Sequence, residues 1–243
     1  MTVTDATVLN YWKAGLGDVP EEVWHHPRLD VLLLPDNALT HLPARIGTLT
    51  ALRTLDLGHN QLASVPAELG DLTALSDFLY LHDNRLTALP ETLGRLTRLA
   101  YLNVGENRLT ALPDTLGRMA SLVELRAQHN RLTALPTGLG GLRALRELWL
   151  RGNALTALPD AVRHLGALRE LELRENAFEV FPDAVRGLPL LRRVDLRANR
   201  LREIPAWVAE LPSLEKLDLR WNAVRDDADT LMALRARGCV VLN

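Results

Sequence analysis

Histidine and carboxylate side chains, which can ligate divalent metal ions, recur at one fixed position in this chain. Each stands immediately before an asparagine, at intervals of 23 or 24 residues: Asp36, His59, Asp83, Glu106 and His129. A row of this kind would lie at an open strand edge, without a preorganised set of ligands. The sequence therefore predicts no physiological metal site, and it indicates no cofactor.

Catalytic motifs are missing from the sequence. It contains no G-x-x-x-x-G-K-[ST], G-x-S-x-G, H-E-x-x-H or paired C-x-x-C. The single cysteine, Cys239, stands in the apolar segment "CVVLN", where a thiol is usually inert. The sequence therefore predicts a protein that is not an enzyme, and one cysteine fits a reducing compartment.

A second set of charged residues has the same period. The arginines are Arg151, Arg174, Arg197 and Arg220, and the acidic residues Glu172, Asp195 and Asp218 alternate beside them. Stacked about 5 Å apart, the cations alone would repel one another. We favour mutual neutralisation on a solvated face over an anion site. The functional alternative is a polar contact with a partner of mixed charge.

The register of these residues is set by an internal repeat. Asparagine recurs at Asn37, Asn60, Asn84, Asn107, Asn130, Asn153, Asn176, Asn199 and Asn222. Around each one the apolar residues follow L-x-x-L-x-L-x-x-N-x-L-x-x-L-P, and a block such as "PETLGRLTRL" comes next. This pattern resembles the 23-residue class of leucine-rich repeat found in intracellular proteins, including bacterial ones.

The repeat predicts an α/β solenoid. In x-L-x-L-x the leucines of a strand point one way and the x residues the other, and stacked repeats join the leucines into one core. The resemblance implies a horseshoe with a concave parallel sheet, a stacked row of asparagines and short 3-10, helical or irregular convex segments. The convex glycine of early repeats becomes Arg163, Arg186 and Ala209, which predicts a more helical convex side there.

The chain is interpreted as one domain, 1–243. Residues 1–28 are expected to form an N-terminal cap with a degenerate first repeat, although Asp5 could instead cap a short helix. Residues 29–226 are the main repeats. Residues 227–243 are predicted to close the solenoid with a helix and a strand.

The x positions of the strands carry the candidate partner-binding site, because they have no duty in the core. The central set is Phe78, Tyr80, His82, Tyr101, Asn103, Arg126, Gln128, Trp149 and Arg151. Aromatic and arginine side chains of this kind are enriched at the centres of protein interfaces. Cross-strand stacking that only stabilises the sheet is the alternative. A secondary apolar patch, Trp12, Val31 and Leu33, could pair two copies of the chain.

One repeat is a residue longer than the others. Leu75 keeps the step of 23 from Leu52, but Leu79 follows Leu55 by 24, so the extra residue is Ser76, Asp77 or Phe78. It either forms a bulge that presents Phe78 and Tyr80 to a ligand, or is absorbed at the strand entrance.

These features favour a non-enzymatic module that binds a protein partner, such as a scaffold or adaptor. Alternatives are a non-catalytic bacterial effector or substrate-recognition subunit, and then a binder of small ligands or metal. The net charge of -2 gives no argument for nucleic acid or membrane binding. The N-terminus shows no secretory signal, so we expect a cytoplasmic protein, or one exported without a cleavable signal.

Overall fold

The 23-residue period places one short strand in each repeat. The computed structural model describes residues 7–225 and 229–243, and within these residues the strands form a single parallel sheet in sequence order. They are β1 to β11: Val8–Asn10, Val31–Leu33, Thr54–Asp56, Phe78–Tyr80, Tyr101–Asn103, Glu124–Arg126, Glu147–Trp149, Glu170–Glu172, Arg193–Asp195, Lys216–Asp218 and Val240–Leu242. The predicted solenoid with a parallel sheet is confirmed.

Short 3-10 helices return the chain from one strand to the next. They span Glu21–His25, Ala44–Thr48, Ala67–Asp71, Glu91–Arg95, Asp114–Arg118, Thr137–Gly141, Asp160–His164, Asp183–Val185 and Ala206–Glu210. A proline precedes each helix, because its fixed φ suits the extended residue at which the chain turns inward. One α-helix, α1 at Asp229–Ala236, lies before β11.

The expectation of a more helical convex side after residue 160 is wrong. The segment at Arg163 is a 3-10 helix like its predecessors, and the one before Arg186 shortens to three residues. Apart from the shortened helix, each has room for five residues between the proline before it and the residue that ends it, as between Pro159 and the buried Leu165. A second α-helical turn has no room there, whatever the helix propensity of the residue that replaces glycine.

The core is a stack of leucines beneath the sheet. In the repeat around β5, Leu99, Leu102, Val104, Leu109 and Leu116 are all fully buried, and the same positions are buried in the neighbouring repeats. These residues form one continuous cluster along the solenoid. The core therefore leaves the x side chains of each strand free on the other face.

The asparagines are stacked in a row and join consecutive repeats. Asn107 donates to the carbonyl oxygens of Val104 and Gly105 in its own turn, and to that of Leu81 in the preceding repeat. The side-chain oxygen of Asn107 accepts a hydrogen bond from the backbone N–H of Leu86 at 2.9 Å. Each asparagine in this way satisfies backbone groups that a sharp turn would leave unpaired.

Immediately before the asparagines, the chain adopts a left-handed conformation. This column includes residues that seldom adopt positive φ, such as Glu106 at 54°, Ala198 at 52° and Trp221 at 63°. The histidines and carboxylates of the candidate metal row occupy the same positions. Their recurrence therefore marks the turn, where polar residues tolerate positive φ better than branched ones.

The extra residue is absorbed at the entrance to β4. Phe78 pairs with Thr54 and with Tyr101 in the regular register, so no bulge displaces the strand itself. Before the strand, the N–H groups of Ser76 and Asp77 share the carbonyl of Arg53, which is the regular pattern of the other strand entrances. The extra residue shows in the next repeat, where Ala100 and Tyr101 donate to two separate carbonyls, those of Ser76 at 2.9 Å and Asp77 at 3.1 Å. The Arg53 side chain also bonds Ser76 and Asp77. Of the two alternatives, the structure agrees with absorption and not with a bulge that redirects Phe78 and Tyr80.

Over residues 7–225 and 229–243, none of the helices has the length and hydrophobicity of a membrane-spanning segment.

Candidate functional site

The strands β4 and β5 bring three aromatic rings together on the face opposite the core. The centroid of Tyr101 lies 5.5 Å from that of Phe78 and 5.1 Å from that of Tyr80. Phe78 is exposed over 43% of its surface, while Tyr80 and Tyr101 are half-buried. Burial raises the pKa of the Tyr101 hydroxyl to about 12, so this phenol stays neutral and can donate a hydrogen bond.

Arg126 extends the aromatic surface toward the C-terminal repeats. Its guanidinium lies 5.8 Å from the ring centroid of Tyr101 and 5.0 Å from that of Trp149. Glu124, on the same strand, holds the guanidinium by an ion pair. The cation is therefore fixed between two rings, an arrangement typical of an interface anchor. We call Phe78, Tyr80, Tyr101, Arg126 and Trp149 the aromatic face.

Two histidines continue this face toward the strand ends. The His82 ring lies 5.8 Å from that of Tyr80 and 4.7 Å from that of His59, and Nδ1 of His59 is 2.6 Å from Oδ2 of Asp83. Burial, together with the neighbouring His59, lowers the pKa of His82. His82 is therefore a neutral ring near pH 7, in keeping with its position in an aromatic row.

The side chains of His82 and Gln128 occupy space that is free only because the neighbouring residues are glycines. A Cβ at Gly58 would lie 2.4 Å from the His82 ring, and one at Gly105 would lie 2.6 Å from the Gln128 amide. Each side chain thus lies against the glycine of the preceding repeat, in space that a Cβ would occupy. The buried Nδ1 of His82 and Oε1 of Gln128 have no hydrogen-bond partner within the described residues. The amide oxygen of Gln128 can only accept a hydrogen bond, whereas Nδ1 of His82 accepts or donates one according to the tautomer of the ring.

The arginine column is compensated by carboxylates. Arg151 lies 2.9 Å from Glu175, Arg220 lies 2.7 Å from Asp218, and Arg197 bonds Asp195. Arg174 lies 3.7 Å from Glu175. These pairs support mutual neutralisation and leave no concentrated positive charge for an anion.

A cleft beside Trp149 contains acidic residues that the sequence did not single out as a site. Its floor carries Glu172, Asp195 and Asp218 on adjacent strands β8, β9 and β10. Burial and the neighbouring Asp195 raise the pKa of Glu172 to about 8. Their position in the sequence could have identified them, because all three stand four residues before an asparagine, as Trp149 does.

Asn103 differs from the other candidate residues. It is only 7% exposed, and its side-chain oxygen accepts a hydrogen bond from the backbone N–H of Gly105 at 3.0 Å. Because so little of Asn103 is accessible, we leave it out of the proposed contact surface.

The secondary apolar patch lies at the other end of the sheet. Trp12 is exposed over 58% of its surface and its indole N–H donates to Asp36 at 2.6 Å. Val31 and Leu33 are half-buried on β2, beside the exposed Val8 on β1. One strand, β3 with Thr54 and Asp56, separates this patch from β4, where the aromatic face begins.

In the described part of the chain, no group of three or more histidine, cysteine, aspartate or glutamate side chains is arranged to hold a metal ion. Cys239 is buried, and burial raises the pKa of its thiol, which disfavours the reactive thiolate.

Family comparisons match most of the repeats. The family described as "Leucine-rich repeat region" matches residues 77–174. Two further leucine-rich repeat families match residues 27–86 and residues 210–228. No curated protein matches the chain.

Solved structures share the fold. A leucine-rich repeat protein of Leptospira interrogans is 29% identical with a TM-score of 0.73, over 96% of this chain and 71% of that one. The plant peptide hormone receptor RGFR1, solved in complex with RGF2, is 25% identical with a TM-score of 0.74, over 85% of this chain and 38% of the receptor. An internalin of Listeria monocytogenes is 18% identical with a TM-score of 0.64, over 99% of this chain and 87% of that one, which is a likeness of fold alone.

Proposed function

Because the chain belongs to the leucine-rich repeat family, we propose that it is a non-enzymatic module that binds a protein partner on the exposed face of its sheet. The observation that carries the proposal is the aromatic face. Its three rings, with Arg126 and Trp149, occupy strand positions that the leucine core does not need.

Sheet stabilisation alone is a weaker account of these residues. Cross-strand pairs in the other repeats are made by small or charged side chains, such as Thr54 and Glu147, and those strands keep the same register. Phe78 leaves much of its ring in solvent, where apolar surface gains from being covered by a partner. A scaffold or adaptor role follows most directly from such a surface.

The solved relatives are compatible with this proposal. One of them, a plant receptor, is described in complex with a peptide hormone. This chain spans only 38% of that receptor, so the receptor's activity is not carried over. For the compartment we propose the cytoplasm, on the strength of the single cysteine.

Affinity capture with substituted baits tests the proposal. The full chain, the double variant Tyr80→Ala and Trp149→Ala, and the control Val180→Ala are used to capture proteins from a lysate of the source cells. Val180 is 69% exposed and lies outside the sheet. Thermal unfolding first verifies that each bait is folded.

We expect proteins identified by mass spectrometry to be retained by the chain and by the Val180 variant, and lost by the double variant. A set of captured proteins that is the same for all three baits would contradict the proposal.

A further inference from the structure

The residues that immediately precede the strands form a row along one edge of the sheet. Backbone hydrogen bonds join its members: the N–H of Arg169 donates to the carbonyl of Arg146, and that of Arg192 to the carbonyl of Arg169, each at 2.8 Å. The strands that follow are paired in register, so the three side chains leave the backbone about 4.8 Å apart. We call Arg146, Arg169 and Arg192 the arginine edge.

The charges of this row differ between the two halves of the sheet. In the N-terminal half they alternate in sign, and Arg53 lies 4.0 Å from Asp30 and 3.1 Å from Asp77, its two neighbours in the row. In the C-terminal half the arginine edge sets three cations side by side, which repel one another. Neutralisation within the row therefore accounts for the first half and not for the second.

Two guanidinium groups of the arginine edge have no counter-ion. Arg192 is paired with Glu215, at 3.7 Å. The side chains of Arg146 and Arg169 are exposed, and over residues 7–225 and 229–243 they form no ion pair and no hydrogen bond. Two adjacent cations are thus left with water as their only partner.

The nearby glutamates are already engaged. Glu170 is paired with Arg193, at 3.1 Å. Glu147 accepts a hydrogen bond from the indole N–H of Trp149 at 3.2 Å. Neither carboxylate is therefore free to neutralise the two arginines.

The arginine edge borders a groove of about 280 Å³ that reaches from Val123, before β6, to Glu215, before β10. Four arginines and three glutamates line it. A guanidinium can hold a carboxylate by two parallel hydrogen bonds, so the unpaired arginines favour separate acidic side chains. The continuous charge of a nucleic acid backbone would instead run against Glu147 and Glu170 as well.

We propose that the arginine edge binds an acidic segment of a protein partner, with one carboxylate on Arg146 and another on Arg169. The edge lies outside the aromatic face, so the inference goes beyond the proposed function. Alternate residues of an extended segment point to the same side and are about 6.6 Å apart, a distance that long arginine side chains can span from neighbouring strands. The two acidic residues therefore stand at positions i and i+2.

Selection from a peptide library tests the proposal. Phage that display random peptides of about 12 residues are first depleted on the double variant Arg146→Gln and Arg169→Gln, which removes peptides that bind elsewhere on the chain. The remaining phage are selected on the full chain at pH 7 and low ionic strength, where exposed ion pairs are least screened. Enriched peptides are synthesised, and their Kd is measured by fluorescence anisotropy after thermal unfolding has verified that each variant is folded.

The double variant Arg108→Gln and Arg131→Gln is the matched control. Both arginines are exposed, follow the stacked asparagines at the opposite ends of the strands, and have no ion pair in the part of the chain that the structure describes. This variant loses the same charge as the first one. It therefore separates contact at the arginine edge from long-range attraction.

We expect enriched peptides to carry aspartate or glutamate at positions i and i+2. Their Kd should rise about fivefold or more on Arg146→Gln with Arg169→Gln, as expected for the loss of two exposed ion pairs, and no more than about twofold on the control. Changing the two acidic residues to their amides should weaken binding to the chain, and by no more than about twofold on the first variant, because both changes remove the same contact.

Three outcomes would overturn the inference. One is a selection that enriches no peptide, or only peptides without the acidic pair. The second is an equal loss of affinity on the two double variants. The third is a single-stranded oligonucleotide of about 12 nucleotides that binds more tightly than the peptides and is lost on Arg146→Gln with Arg169→Gln. None of these results bears on the aromatic face, which the affinity capture tests separately.

Discussion

At the scale of single residues, Glu172 is the side chain whose environment departs most from that of a free glutamate. It is partly buried on β8, and it lies near Asp195 on β9, near Arg197 just after β9 and near Arg151 just after β7. Burial first, and Asp195 second, raise its pKa to about 8, so the folded protein binds a proton there that the unfolded chain releases near pH 4.5. Stability must then fall as the pH rises between these two values.

Glu172→Gln should remove this dependence. Glutamine has the shape of the protonated acid, so we expect the free energy of unfolding of the variant to match that of the chain at pH 4.5. The variant should be the more stable of the two at pH 8.5, because only the glutamate must ionise in a partly buried, acidic setting. Urea unfolding at both pH values measures the difference. An equal difference at the two pH values would argue against the shift.

At the scale of elements, the turn that ends each strand depends on a left-handed residue and on the asparagine after it. Both features act on the same three-residue corner, and both recur in every repeat that the main pattern covers. Their contributions can be measured separately, because substitution of either residue leaves the other in place.

Ala198→Gly should stabilise the protein. Ala198 has a φ of 52°, a conformation that costs a residue with a Cβ about 1–2 kcal/mol and glycine almost nothing. Against this gain stands the loss of about 0.5–1 kcal/mol that glycine brings through the entropy of the unfolded chain. We expect a net gain of a few tenths to about 1 kcal/mol in thermal or urea unfolding.

Ala154→Gly is the matched control. Ala154 is exposed and donates its backbone N–H to Leu132, much as Ala198 donates to Arg220, but it is not at positive φ. It should lose stability. A loss in both variants would show that the left-handed corner is not strained.

Asn130→Ala should be strongly destabilising. The amide donates to the carbonyls of Val104, Ala127 and Gln128, and its oxygen accepts from the N–H of Leu109. Each buried group left without a partner costs about 1–3 kcal/mol, so we expect a loss of about 3 kcal/mol or more by urea unfolding. Asn10→Ala is the comparison, because Asn10 is exposed and water can replace its bond to the N–H of Trp12. Equal losses in the two variants would mean that a stacked asparagine contributes no more to stability than an exposed one.

The element scale is also where sequence predicted most. The 23-residue period fixed the strands, the asparagine row and the face on which Tyr80 and Trp149 lie, because alternation along a strand leaves only two directions. It could not show that Asn103 is covered by its neighbours, or that Arg126 lies between two rings, since those outcomes depend on rotamers and on neighbouring strands. It also overestimated helix in the convex segments, where the available length, and not the residue type, decides.

At the scale of the whole molecule, each strand contacts only its neighbours in sequence order. Stability in such a solenoid is the sum of local units and the interfaces between them, so opening starts where an interface is missing. Within the described residues, β1 is paired on one side only, whereas β5 lies between β4 and β6.

Hydrogen exchange should therefore be graded along the sheet. We expect amides of Val8–Asn10 to exchange at least ten times faster than those of Tyr101–Asn103, when peptides covering each segment are followed by mass spectrometry under native conditions. Uniform protection from β1 to β5 would mean that the whole array opens as one cooperative unit.

The length change before β4 shows how such a sheet tolerates an error in spacing. Ser76 and Asp77 each accept one N–H of the next repeat, from Ala100 and Tyr101, where the other repeats offer a single shared carbonyl, and the strands after β4 resume the common register. The entrance to β4 is therefore a suitable insertion site, where a short loop or a reporter dye could be attached a few ångströms from Phe78 without shifting the register of the seven strands downstream.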